Sequence, residues 1–178
     1  EDNRIRYVAI CGHVHEELAV GSVVAGFDGW RNRLLNVSIV DDMGVTHLDT
    51  EAIVPVSLGL DRFPPSTDAE SLGLVRLAKE RGWKSVYLVS PPLHRFRAFV
   101  STVSAFLREG SDLRVYNCPV EVPSWQEVVV HSQSAPRAAR KSQIGGELAK
   151  IQKYCAKGDH ATAREILDYL DRRDAAPR

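Results

Sequence analysis

His94 and Arg97, spaced H-x-x-R and followed by Ala98, are the residues of this chain best suited to chemistry. Three positions apart, they fall on one face of a helix. Each brings hydrogen-bond donors, an imidazole that titrates near neutrality and a guanidinium fork that matches a carboxylate or phosphate. They follow Ser90, Pro91 and Pro92, where an apolar run rich in β-branched and aromatic residues stops. In open α/β sheets ligands bind beyond the carboxyl ends of strands, and a helix N-terminus placed there adds free backbone N–H groups. The expected chemistry is therefore the holding of a small anion by His94 and Arg97, with Ser90 at the strand end. Arg95 points to the other side of that turn and is expected to face solvent.

Two further sets of residues belong to this reading. Thr67 and Glu70 form a T-x-x-E capping box, worth ~1 kcal/mol as a helix start and able to shape the floor of an anion pocket. Gly12 and His13 follow the first apolar strand and would close the pocket from that side. Cys11 beside them reads as a small buried hydrophobe.

The elements that must position these residues are legible around them. Leu72, Val75, Leu77 and Ala78 give a helical stripe after Thr67, and Gly82 ends it. Lys84 to Ser90 reads as a buried parallel strand, Leu93 to Arg108 as the next helix, stopped at Gly110, and Leu113 to Cys118 as the next strand. Upstream, Ile5 to Cys11 and Ile53 to Leu58 read as strands, the second marked by Pro55 as an edge or bulge. Glu16 to Phe27 has helical spacing weakened by Gly21 and Gly26, and the run Leu34 to Val40 is too short to assign. Arg137 to Ala156 and Ala161 to Arg172 form a helical hairpin with Leu148, Ile151, Tyr154, Ile166, Leu167 and Leu170 on its apolar faces. The alternation predicts an α/β fold with a mainly parallel sheet over residues 1–136 and the hairpin, residues 137–178, packed on the same domain. The irregular stretch Pro119 to Pro136, with Trp125 and His131, reads as a binding loop.

Bulk properties narrow the function classes. In 178 residues, 44% are hydrophobic and 23 basic residues balance 23 acidic ones. A neutral chain without a Lys/Arg block offers no footprint for nucleic acid. No apolar run approaches the ~20 residues that span a bilayer, so membrane insertion is not expected. Three widely spaced cysteines, Cys11, Cys118 and Cys155, argue for a reducing, cytoplasmic setting rather than a disulfide framework.

The ordered set Thr67, Glu70, Ser90, His94, Arg97 and Ala98 resembles the YdcF/SanA/ElyC-like superfamily over residues 51–120. The segment Glu147-x-x-Lys150-Ile151-x-x-Tyr154 before Gly158 and Asp159 is similar to the tail of some of its members. The resemblance implies a Rossmann-like three-layer domain. Members are associated with envelope biogenesis in some bacteria, and one has been linked to S-adenosylmethionine. The implied function is binding, with or without turnover, of a small anionic ligand: a nucleotide, S-adenosylmethionine or a phosphate-bearing envelope precursor. The ligand residues would be Gly12, His13, Thr67, Glu70, Ser90, His94 and Arg97. The paired glycines of the family's phosphate-approaching turns are represented only by Cys11, Gly12 and His13.

Residues 7–17 are loosely similar to zinc-dependent de-N-acetylases of the PIG-L/LmbE type. That similarity implies an alternative, a zinc hydrolase using His13, Glu16 and His94. His15 stands where that family has its catalytic Asp, so stoichiometric metal is not expected. A non-enzymatic interaction protein working through its helical tail is the third expectation.

Overall fold

The computed structural model describes residues 7–11, 18–19, 22–23, 39–41, 44–46, 50–56, 66–118, 124–129 and 137–175. The chain divides into two units, Glu1–Leu74 and Val75–Arg178. The described residues combine helices with five two-stranded sheets, so the protein is mixed α/β; where a mainly parallel sheet was expected, two of these pairs are parallel and three antiparallel.

The first unit holds β1 (Val8–Ile10), β2 (Leu18–Ala19), β3 (Ser22–Val23), β4 (Ile39–Asp41), β5 (Gly44–Thr46) and β6 (Ile53–Pro55). β1 and β6 run parallel with Val8 opposite Ile53 and Ile10 opposite Pro55. Ile53, Val54 and Val56 are buried. The helical spacing from Glu16 to Phe27 is overridden, because β2 and β3 pair antiparallel there. Two glycines inside that window each cost a helix about 1 kcal/mol relative to Ala, while a hairpin places both segments side by side at once. β4 and β5 likewise pair antiparallel, which resolves the end of the run at Val40 as strand.

Helix α1 (Thr67–Glu80) begins in the first unit and ends in the second. Its start corrects the expected capping box. Ser66 is the cap: its Oγ accepts the Ala69 N–H at 3.2 Å. Thr67 is the first helical residue, and its carbonyl accepts the Ser71 hydroxyl at 2.7 Å. Ser is the better N-cap of the two, and Ser66 is the neighbour that lies just before the first helical residue. The stop is as expected. Gly82 has φ 64°, with the Trp83 N–H on the Ala78 carbonyl and the Gly82 N–H on that of Lys79, the Schellman pattern.

In the second unit β7 (Ser85–Leu88), α2 (Arg95–Arg108) and β8 (Arg114–Asn117) form one β-α-β unit, with the two strands parallel and Val86 opposite Val115. α2 presents Phe99, Val100, Val103 and Phe106 to Val86 and Val115 in a single buried cluster. Each such side chain contributes about 1.5–3 kcal/mol by leaving water. β7 departs from the expected fully buried strand. Val86 is buried, but Tyr87 and Val89 are 59% and 71% exposed, and Tyr87 stacks on Tyr116 with ring centroids 5.2 Å apart. One face of the pair is therefore packed and the alternate residues are not.

After Ser124 the chain forms β9 (Val128–Val129) and β10 (Ala138–Ala139), an antiparallel pair. The helix expected from Arg137 starts later, because Ala138 and Ala139 pair with β9 and residues Arg140–Gln143 form a tight 3-10 turn first. Then come α3 (Ile144–Ala156) and α4 (Ala163–Ala175). α4 carries a reciprocal capping box. Glu165 Oε2 accepts the Thr162 N–H at 2.7 Å, and the Thr162 hydroxyl accepts the Glu165 N–H at 3.3 Å.

Ile166 and Tyr169 enter the buried cluster, with Ile151 and Leu170 packed against it. Leu148 and Leu167, expected on the same apolar faces, are instead 46% and 55% exposed. At 100° per residue each lies a step round the helix from Glu147 and Ile166, the residues that point inward.

Candidate functional site

His94 takes the N-cap position of α2 without using its side chain as a cap. Pro91 supplies the preceding turn, its carbonyl accepting the His94 and Arg95 N–H groups at 2.9 and 3.0 Å. This turn sends the imidazole and the Arg97 guanidinium, three residues on, to the same point. That point is an internal anion. Glu147 Oε2 accepts from His94 Nδ1 at 2.9 Å and from Arg97 Nε at 2.7 Å, while Glu147 Oε1 accepts from Lys150 Nζ at 2.9 Å.

The cluster grades from interior to surface. The side chains of Glu147 and Arg97 are 5% and 6% exposed, that of His94 21% and that of Lys150 36%. Burial by itself pushes the Glu147 carboxyl up. The hydrogen bonds from Arg97, His94 and Lys150, with the charge of Arg97, outweigh burial and hold it well below the usual carboxylate range. Glu147 also sits in the first turn of α3, where a negative charge is favoured. Two cations and an imidazole thus surround one carboxylate among the described residues.

A second polar layer fixes the hairpin turn onto α2. Ser101 Oγ and His160 Nε2 lie 2.8 Å apart, both residues being buried. The Ala161 N–H donates to Ser104 Oγ at 2.8 Å, and the His160 ring rests 5.1 Å from that of Tyr154. These contacts hold α3 in register so that Glu147 meets Arg97.

The other expected site residues are distributed as follows. Ser90 is half-buried at the end of β7, and its hydroxyl oxygen is fully buried with no hydrogen-bond partner among the described residues. Thr67 and Glu70 are half-buried in the first unit. Arg95, expected in solvent, is half-buried. Cys11 has an exposed surface while burial pushes its thiol up to about 12, and Cys11, Cys118 and Cys155 are all free thiols. Gly12, His13, His15, Glu16 and His131 lie outside the described residues. Among the described residues no group of three or more His, Cys, Asp or Glu is placed to hold a metal ion. No described helix is long and apolar enough to cross a membrane.

Sequence reasoning missed Glu147 and Lys150 as members of this site. Their signal was present as an acid in a helix first turn with a lysine three residues on. Nothing local to that helix says that the acid turns toward a loop 50 residues upstream.

Ser90→Ala is expected to leave stability unchanged or raise it by up to about 1 kcal/mol, since a buried hydroxyl without a partner carries a desolvation cost. Urea unfolding checks this. A loss larger than about 1 kcal/mol would show that the hydroxyl is engaged in the ligand-free protein.

No family model, no curated protein and no solved structure matches this chain.

Proposed function

We propose that the chain is a YdcF-like, Rossmann-like three-layer protein that binds a small anionic ligand at the carboxyl end of β7. The ligand class is a nucleotide, S-adenosylmethionine or a phosphate-bearing envelope precursor, and the setting is the cytoplasm. One observation carries the reading: two segments that bear the resemblance, His94-x-x-Arg97-Ala98 and Glu147-x-x-Lys150-Ile151-x-x-Tyr154, converge on a single buried carboxylate.

In this reading Glu147 is a positioning residue. It orients the His94 ring through Nδ1 and the Arg97 plane through Nε, and a buried network of this kind is worth most when every member is engaged. The Ser90 hydroxyl, buried at the strand end, offers the ligand a hydrogen bond. Lys150, at the exposed edge of the cluster, supplies charge without holding the core. The free state of all three cysteines accords with a reducing compartment.

Titration calorimetry with S-adenosylmethionine, adenine nucleotides and inorganic phosphate tests the proposal, paired with Lys150→Met and Ser90→Ala. At least one of these ligands is expected to bind. Each variant is expected to weaken that ligand about tenfold, the order of one hydrogen bond, with little change in melting temperature. Absence of binding by all of them at millimolar concentration overturns the assignment.

A further inference from the structure

β8 has two edges, and the chain treats them differently. The Arg114 and Cys118 N–H groups donate to the carbonyls of Lys84 and Leu88 at 3.0 and 2.9 Å, so alternate residues of β8 face β7. The residues between them point their backbone groups the other way. There no strand follows among the described residues; side chains of α4 take the bonds instead. The Val115 N–H donates to the Tyr169 phenol oxygen at 2.7 Å, and the Tyr169 O–H donates to the Leu113 carbonyl at 3.1 Å. Arg173 Nη1 donates to the Val115 carbonyl at 2.8 Å. Arg173 is itself anchored, with Nε and Nη2 on Asp174 at 2.7 and 3.0 Å and its guanidinium carbon 4.8 Å from the centre of the Tyr116 ring.

We propose that α4 is an edge guard that keeps β8 from pairing with β8 of a second copy of this chain. An open strand edge is a template for another strand, and proteins suppress it with charges or by covering it. The partner follows from the geometry. Val115 directs both its N–H and its C=O outward, which is what a residue on the two-fold axis of an antiparallel ladder needs to exchange both bonds with its own copy. Leu113 would then face Asn117 of the other copy. The guard imitates that ladder: one phenol and one guanidinium take the three backbone groups that a second β8 would take.

The double variant Tyr169→Ala/Arg173→Ala removes both side chains that cover the β8 edge. Its Val115 amide is expected to exchange about tenfold faster than in the wild-type chain in dilute solution, the loss of one hydrogen bond. As concentration rises, its mass by sedimentation equilibrium is expected to double relative to the wild-type chain while Val115 regains protection. Faster exchange with wild-type mass at every concentration overturns the pairing, and unchanged exchange overturns the guard. If circular dichroism shows the double variant unfolded, Tyr169→Phe/Arg173→Ala, which keeps the buried ring packed, is judged by the same exchange criterion.

Discussion

Glu147→Ala is expected to lower the stability of the protein by about 3–5 kcal/mol, the range for removing one member of a buried ion pair. Arg97, 6% exposed in its side chain, cannot recover hydration when the carboxylate is gone. Urea unfolding followed by circular dichroism measures the change. A loss under about 1 kcal/mol would mean that the cluster is hydrated and that Arg97 has no stake in Glu147. The complementary double replacement Glu147→Leu/Arg97→Met is expected to recover much of the loss, because two apolar chains of similar bulk avoid both desolvation costs. This also alters the expectation for Arg97→Lys. A lysine cannot reproduce the directed Nε bond, so that variant is expected to destabilise the protein as well as touch any ligand.

The same carboxylate gives the protein an acid dependence whose direction follows from linkage. The folded pKa of Glu147 lies below its ordinary value near 4.5. The unfolded chain therefore binds the proton more readily, and the stabilisation is fully present above that value and lost as pH falls below it. Wild-type stability is expected to decline through this acid range more steeply than that of Glu147→Gln. Parallel curves for the two proteins would remove Glu147 from the account.

Deleting residues 137–178 is expected to abolish cooperative unfolding of the second unit. The deletion takes Ile166 and Tyr169 from the buried cluster and strips Ile151 and Leu170 from its margin. At about 1.5–3 kcal/mol for each large apolar side chain, the loss matches the whole stability of a small domain. It also frees the β8 edge and leaves Arg97 without Glu147. A shortened chain that melts as a soluble monomer at the wild-type temperature would instead make the hairpin a detachable module.

How far each feature was legible depends on how local its cause is. Gly82, Gly110 and Gly158 stop helices because a left-handed residue is needed at that one position, and all three have positive φ. The helix from Thr67 and the parallel strands about Val86 and Val115 follow from spacing and residue type within a dozen residues. The placement of His94 and Arg97 on one face needs only the helical repeat.

Ser66 rather than Thr67 as the cap, and strands rather than a helix at Leu18 and Val23, show where two local preferences are nearly balanced. What lies opposite a residue across the fold has no local signature. Glu147 is an ordinary first-turn acid until the turn at Gly158 and the docking of His160 and Ala161 on α2 swing α3 against Arg97. The sequence by itself determined the helix from Thr67, the parallel strands about Val86 and Val115, the glycine stops and the face shared by His94 and Arg97. Tertiary structure alone decided that the anion they meet is the chain's own carboxylate, and that Tyr169 and Arg173 close the edge of β8, because both depend on contacts between segments 50 or more residues apart being made in one register, and helical or strand periodicity carries no information about register between elements.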